Sequence, residues 1–213
     1  MIKGCIFDLD GVVVDTARYH FLAWNRLARQ LGFEFTEDHN ERLKGVSRMA
    51  SLEILLEVGG LFPDDSEKPA LAAQKNQWYL QYIEKMTPDE ILPGVAQFIS
   101  LLKSSGKKIA LGTASKNASI ILQQTGLLTV FDSIVDGNRV TNAKPDPEVF
   151  LLAAADLNLN PMECVVFEDA IAGIEAAHRG GMKCIGVGHP STLLQADKVI
   201  PGFINADIHL IDF

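Results

Sequence analysis

The fold is decided by residues 4–11, GCIFDLDG, in which an apolar run leads directly into Asp8 and Asp10. Such a run is typical of a strand that is buried on both faces, as in a parallel sheet. Two carboxylates two residues apart project to the same side of an extended chain. Folding gains nothing from two like charges at the mouth of a buried strand. We therefore expect a cation to offset their repulsion, and a divalent metal is the simplest candidate.

After Pro93 the chain alternates between strand-like and helix-like segments. Further strands are predicted at residues 108–112, 133–135, 164–167 and 182–187, with 199–200 as a candidate edge strand. Repeated alternation of this kind predicts an α/β fold with a Rossmann-like parallel sheet and right-handed crossovers. In such folds the site lies at the carboxyl ends of the strands.

Residues 15–91 interrupt this alternation with helical patterns only. Asp15 is the predicted cap of the first helix. We interpret the segment as a helical cap domain, inserted into a core formed by residues 1–14 and 92–213. The linkers near Asp15 and residues 88–93 are the expected hinges.

The composition excludes several classes of function. The chain has 213 residues and a formal net charge of −8, with no basic stripe, so nucleic-acid and anionic-membrane binding are disfavoured. No uninterrupted apolar stretch is long enough to span a membrane, and no signal peptide is recognised. The three cysteines all lie in apolar runs, which indicates reduced core residues of a cytoplasmic protein. Nothing in the sequence demands more than a monomer.

Two further strand ends carry residues that suit a phosphate. The segment Thr113, Ala114, Ser115, Lys116 and Asn117 offers hydroxyls and backbone amides at the start of a helix. Taken alone, it is equally well explained as an ordinary helix cap.

Lys144 stands before a rigid helix start at Asp146 and Pro147, where it could present a fixed charge to a phosphate. Alone it would be interpreted as a solvated surface lysine. Glu168 and Asp169 follow another buried strand and suit Mg²⁺, although Asp169 could merely cap the next helix. The four segments taken together favour a functional site over these separate alternatives, because all four follow predicted strands.

These four segments, in this order, resemble the motifs of the haloacid dehalogenase superfamily over essentially the whole chain. The resemblance implies that Asp8 is a nucleophile that forms an aspartyl-phosphate, and that Asp10 is the general acid and base. It implies that Thr113, the Ala114 amide and Lys144 hold the transferring phosphoryl group. Mg²⁺ would be bound by Asp8, the Asp10 carbonyl, Glu168 and Asp169.

The helical insert is similar to the cap of the β-phosphoglucomutase family. The similarity lies in residues 15–24, 43–48, 75–76 and 114–117. By this resemblance, Arg48 grips the phosphate that is not being transferred, with help from Ser115, Lys116 and Asn117. Gly45, in the same stretch as Arg48, is a further candidate for substrate binding.

Three other cap residues, Thr16, His20 and Trp24, are spaced four apart and share one helix face. Packing explains Trp24 well, whereas the family uses the histidine to position Asp10. Lys75 lies on an apolar stripe, where a snorkelling stem is the common explanation, but we expect it to reach into the cleft between cap and core.

The resemblance implies a phosphomutase that interconverts β-D-glucose 1-phosphate and glucose 6-phosphate through a bisphosphate. A sugar-phosphate phosphatase is the principal alternative, since it shares every core residue. A catalytically silent sugar-phosphate sensor is a third, although the intact Asp8 and Asp10 disfavour it.

Overall fold

Six parallel strands form a single sheet in the computed structural model, which describes residues 1–43 and 45–213. Lys44, within the family-like stretch 43–48, lies outside the described residues. In chain order the strands are β1 (Gly4–Phe7), β2 (Lys108–Gly112), β3 (Ser133–Val135), β4 (Cys164–Glu168), β5 (Lys183–Val187) and β6 (Lys198–Ile200). Their order across the sheet is β3-β2-β1-β4-β5-β6. The predicted α/β, Rossmann-like core is confirmed.

The register of the central strands positions the site. Phe7 pairs with Leu111 on one side and with Phe167 on the other. The Asp8 amide then donates to the Phe167 carbonyl at 3.0 Å. The residues that follow β1, β2 and β4 therefore emerge side by side at one edge of the sheet.

Four helices separate β1 from β2: α1 (Ala17–Gln30), α2 (Glu37–Glu41), α3 (Arg48–Gly59) and α4 (Lys68–Ile83). Four more accompany the sheet: α5 (Val95–Ser104), α6 (Ala118–Thr125), α7 (Glu148–Asp156) and α8 (Ile171–Arg179). Short 3-10 turns occupy Pro88–Glu90, Pro161–Glu163 and Ile208–Ile211. None of the helices within the described ranges is both long and apolar enough to cross a membrane.

Three clusters of buried apolar side chains hold these layers together. Two cover the sheet, and in the first of them Phe7 stacks on Phe167 with ring centroids 4.5 Å apart. The third joins α1, α3 and α4 around Trp24 and Leu52. The inserted helices thus have an apolar core of their own, while Tyr79 of α4 packs into the first cluster.

The two linkers between the helical insert and the sheet run side by side. Val14 forms a β-bridge with Ile91, and the Leu92 amide donates to the Val13 carbonyl at 3.0 Å. The Asp15 amide donates to the Glu90 carbonyl at 3.0 Å. Backbone bonds therefore couple both linkers at the point where the chain leaves and re-enters the core.

Two helix starts differ from the sequence prediction. Thr16, not Asp15, occupies the N-cap position of α1, and its side chain bonds Asp10 instead of capping the helix. Pro147 occupies the N-cap position of α7, and Asp146 Oδ1 accepts from the Glu148 amide at 3.0 Å. In the first case the bond to Asp10, six residues earlier in the chain, engages the Thr16 side chain, which therefore does not cap the helix.

Candidate active site

Asp8, Lys144 and Glu168 form a buried chain of charges at the carboxyl edge of the sheet. Lys144 Nζ lies 2.6 Å from Asp8 Oδ1 and 2.6 Å from Glu168 Oε1. It also donates to the Gly112 carbonyl at 3.3 Å. Burial opposes the charge on Lys144, but the two carboxylates outweigh it and raise its pKa above the ordinary value. Lys144 is therefore not the solvated surface lysine of the alternative interpretation. It is a buried cation that offsets the charge of two carboxylates.

Glu168 is fully buried, and both of its oxygens are engaged. Oε1 accepts from Lys144, and Oε2 accepts from the Ala170 amide at 2.9 Å. Burial raises the pKa of Glu168, and the charge of Lys144 opposes that rise. The geometry makes Glu168 the second carboxylate that holds Lys144, together with Asp8.

Asp10 follows Asp8 by two residues in the turn after β1. Its backbone amide donates to Asp8 Oδ2 at 3.0 Å, and its own Oδ1 accepts from the Thr16 hydroxyl. Burial, and next the charge of Asp8, raise the pKa of Asp10 to about 6, while the Thr16 bond lowers it. A carboxyl group with a pKa near neutrality can both accept and donate a proton at physiological pH.

The segment after β2 forms a loop of hydroxyls and amides. Thr113 is buried, and its hydroxyl oxygen accepts from the Ser115 amide at 3.1 Å. The Ser115 hydroxyl oxygen accepts from the Asn117 amide at 3.3 Å. Asn117 occupies the N-cap position of α6, so the loop presents the amino end of a helix. Such an end favours an anion.

Residues after β3, which the sequence analysis did not single out, support this loop from the core. The Gly137 amide donates to the Ser115 carbonyl at 3.1 Å, and Asn138 Nδ2 donates to the Lys116 carbonyl at 3.0 Å. Any Cβ at position 137 would overlap the Ala114 carbonyl oxygen. Gly137, a glycine shortly after the predicted strand at residues 133–135, is the sequence signal that could have identified this support.

Lys75 and His20 face each other in the helical insert. Lys75 Nζ lies 3.0 Å from His20 Nδ1 and 4.5 Å from the centroid of the Trp24 ring. Burial, together with the charge of Arg48, lowers the pKa of Lys75 well below its usual value. The pKa of His20 is lowered by burial and by the same two cations. Lys75 is only 2% exposed, so it is not a snorkelling lysine.

Arg48 is the first residue of α3 and is partly buried. Burial lowers its pKa. Ser47 precedes it and caps the helix, since its hydroxyl oxygen accepts from the Ala50 amide at 3.3 Å. Gly45 adopts φ +71°, and a Cβ there would lie 2.7 Å from that of Ala170, so this loop of the insert touches the start of α8.

A cleft of about 1450 Å³ separates the insert from the sheet. It brings together most of the predicted site residues: Asp8, Asp10, His20, Trp24, Gly45, Arg48, Lys75, Thr113, Ala114, Ser115, Lys116, Asn117, Lys144 and Asp169. Thr16 and Glu168 do not line the cleft but contact residues that do. On the sheet side, which we call the floor, the cleft is lined by acids and a lysine: Asp8, Asp10, Asp169 and Lys144. On the insert side, which we call the roof, it is lined by the basic residues Arg48 and Lys75.

The oxygen donors expected for Mg²⁺ suit such a hard cation. Gly11 has φ +80°, and a side chain there would overlap Asp169 Oδ2, so the Asp169 carboxylate packs against the turn that carries Asp8 and Asp10. Over residues 1–43 and 45–213, no three His, Cys, Asp or Glu side chains converge as a metal cluster. The Asp8 and Asp169 carboxylates and the Asp10 backbone carbonyl are hard oxygen donors, so the chemistry of this donor set fits the ion.

Comparison with known proteins gives a consistent picture. A family model described as haloacid dehalogenase-like hydrolase matches residues 2–181. The β-phosphoglucomutase of Bacillus subtilis is 45% identical over 201 residues, which cover 93% of this chain and 89% of that protein. A phosphorylated carbohydrates phosphatase of Thermotoga maritima is 34% identical over 206 residues, or 93% of each chain. The crystal structure of β-phosphoglucomutase from Clostridium difficile superposes with a TM-score of 0.94 at 41% identity, covering 99% of this chain and 96% of that one.

Proposed function

The chain belongs to the haloacid dehalogenase-like hydrolase family, and from that premise we propose that it interconverts β-D-glucose 1-phosphate and glucose 6-phosphate. It is an enzyme of the β-phosphoglucomutase type, acting as a sugar-phosphate mutase or phosphatase. The observation that carries the proposal is the buried Asp8–Lys144–Glu168 chain, with Asp10 beside it, beneath a cationic roof.

Asp8 is the proposed nucleophile. Lys144 and the Asp10 amide hold one oxygen each of its carboxylate, which fixes the orientation of the group. In the phosphorylated enzyme, a sugar hydroxyl oxygen attacks the phosphorus of the aspartyl-phosphate, and the bond from phosphorus to the Asp8 oxygen breaks. The electron pair returns to the Asp8 carboxylate, where the charge of Lys144 stabilises it.

Asp10 is the proposed general acid and base. It accepts the proton of the attacking sugar hydroxyl and later returns a proton to the leaving oxygen, when the second phosphoryl group of β-glucose 1,6-bisphosphate moves to Asp8. A pKa of about 6 suits both directions near neutral pH. Thr16 fixes the carboxyl group that carries this proton.

We propose that Asp8, the Asp10 carbonyl and Asp169 would hold Mg²⁺. Once bound, the ion would neutralise charge on the transferring phosphoryl group. Glu168 is a further predicted ligand, and the bonds that its oxygens make favour a role in holding Lys144. Thr113 and the Ala114 amide would bind the same phosphoryl group from the other side.

Arg48, Ser115, Lys116 and Asn117 are the proposed site for the phosphate that is not transferred. The bisphosphate must turn around between the two half-reactions, so this site has to accept either phosphate. An arginine suits that exchange, because its guanidinium binds phosphate oxygens in pairs. We propose that residues 15–91 act as a cap over the core and close on the linkers at Asp15 and 88–93, which excludes water from the phosphorylated Asp8.

The phosphatase alternative is supported by the T. maritima relative, whose name describes that activity. The two functions share the floor of the cleft and differ in the acceptor, which is a sugar hydroxyl for a mutase and water for a phosphatase. Lys75 and Arg48 form a cationic roof that favours a phosphorylated acceptor over water, and the His20 imidazole, whose pKa burial lowers, lies against Lys75 as a neutral group. We therefore favour the mutase, working as a cytoplasmic monomer on small sugar phosphates.

A coupled assay tests this proposal. The protein is given β-glucose 1-phosphate, Mg²⁺ and a trace of the bisphosphate, and glucose 6-phosphate is measured beside inorganic phosphate. We expect isomerisation to exceed phosphate release, and Asp8→Asn to abolish both. Release of phosphate without isomerisation would establish the phosphatase instead.

A further inference from the structure

Asn76 lies next to Lys75 on α4, in a family-like pair of which only the lysine has a role so far. Its Oδ1 accepts a hydrogen bond of 2.9 Å from Asn117 Nδ2. Asn76 belongs to the helical insert and Asn117 to the core, so this bond spans the cleft. It joins the cap to the loop proposed to hold the phosphate that is not transferred.

The Asn117 side chain bonds the insert through its NH2 group and makes no capping bond through its oxygen. Asparagine at an N-cap position normally accepts from the backbone of its own helix, yet Asn117 makes no such bond to α6. The capping interaction is forgone, and the amide reaches across to the insert.

The rest of the loop is fixed from the core side. Gly137 and Asn138 bond the carbonyls of Ser115 and Lys116. The backbone of the loop is therefore anchored by the core itself, whereas the Asn117 side chain is bonded to α4.

We propose that Asn76 is a positioning residue that ties the phosphate loop to the cap helix carrying Lys75, and thereby favours the sugar hydroxyl over water as the acceptor. This rests on the proposed function and deepens it. A phosphate held by Asn117 and its neighbours would keep that amide in place, and the Asn76 bond would then hold α4 over the cleft. Loss of the bond lets water reach the aspartyl-phosphate, which is hydrolysed to inorganic phosphate and the free Asp8 carboxylate.

The test compares Asn76→Ala with Gln77→Ala, a matched change at the next, exposed position of the same helix. The first readout is inorganic phosphate released per β-glucose 1-phosphate isomerised. We expect Asn76→Ala to raise this ratio about 3- to 10-fold, the factor that one hydrogen bond of ordinary strength gives, and Gln77→Ala to leave it unchanged. In an Asn117→Ala background, Asn76→Ala should add nothing further.

The second readout needs no turnover. Small-angle X-ray scattering with saturating inorganic phosphate should give a larger radius of gyration for Asn76→Ala than for Gln77→Ala, with Asn76→Ser as a second variant. If Asn76→Ala matches Gln77→Ala in both readouts, the inference is wrong. If the wild type does not isomerise the sugar phosphate but the scattering difference appears, the proposed function fails while the positioning role of Asn76 stands.

Discussion

The two sides of the cleft treat buried charge in opposite ways. On the core side Lys144 lies between Asp8 and Glu168, so opposite charges alternate and the pKa of the lysine is raised. On the cap side burial lowers the pKa of both Lys75 and Arg48, and the charge of Arg48 adds to the effect on Lys75. The core thus stabilises its cation, whereas the cap disfavours the charge on both of its basic side chains.

This difference indicates what each side does. Charges that are paired and hydrogen-bonded hold their positions before a substrate arrives, as preorganised catalysis requires. Buried like charges are costly unless an anion joins them. A phosphate between Arg48 and the loop at Ser115 would be such an anion, so we infer that the core supplies the chemistry while the cap detects the substrate.

The largest effect is expected on the core side, for Lys144→Met. It leaves two buried carboxylates without their cation, and removal of one partner from a buried pair costs about 3–5 kcal/mol. The loss in free energy of unfolding should be full at pH 7. It should shrink in acid, where the unpaired carboxylates become protonated. Chemical denaturation at pH 7 and pH 5 measures it. Lys116→Met, at an exposed lysine of the same cleft, is the control, and equal stability of the two variants would mean that Lys144 does not balance the core.

Arg48→Ala should act next most strongly, and on activity. Losing charge-assisted bonds to the distal phosphate should lower isomerisation about 10- to 100-fold, and phosphate release by less. Both rates are measured in the same coupled assay. Arg29→Ala, at an exposed arginine of α1, serves as the control. Equal losses in both reactions would show that Arg48 does not hold that phosphate.

Lys75→Met should stabilise the protein in phosphate-free buffer, by about 2–4 °C in melting temperature. The folded pKa of Lys75 lies below that of the unfolded chain, so the charged lysine costs stability in neutral solution, and this cost disappears as the pH rises toward the unfolded pKa. The gain should therefore shrink in alkaline buffer. Thermal melts at pH 7 and pH 10 test this, and a lower melting temperature for the variant would mean that its contacts with His20 and Trp24 outweigh the repulsion.

The smallest effect concerns Thr16→Val. Turnover should fall as the pH drops below about 6, where Asp10 becomes protonated. The Thr16 bond lowers the pKa of Asp10, so its loss should move this acid limb to higher pH and cost about 2- to 5-fold in rate at pH 6. A pH–rate profile of both proteins measures the shift. An unmoved limb would mean that a group other than Asp10 is being titrated.

The sequence was sufficient to predict which residues lie at the floor of the cleft. An apolar run ends at a polar residue in β1, β2 and β4, and parallel strands bring those ends together, so Asp8, Thr113 and Glu168 could be placed in advance. Their proposed roles came from the resemblance to the family, since each residue taken alone could be explained by an ordinary structural role such as helix capping.

The roof of the cleft could not be predicted in the same detail. Lys75 meets His20 across 55 positions of sequence, and Asn76 meets Asn117 across 41, so packing and not local pattern decides these pairs. Thr16 shows the same limit at short range, because its bond to Asp10 overrides the capping rule that pointed to Asp15. Lys75 lines the cleft as we expected, and its burial rules out the snorkelling alternative that its stripe position allowed.

The most direct test of the account is whether phosphate becomes attached to Asp8. The protein is mixed with bisphosphate labelled in both phosphates and quenched in acid, and its peptides are then mapped by mass spectrometry. We predict a base-labile acyl phosphate on the peptide that contains Asp8, and none in Asp8→Asn. A label on any other residue, or turnover by Asp8→Asn, would contradict the account.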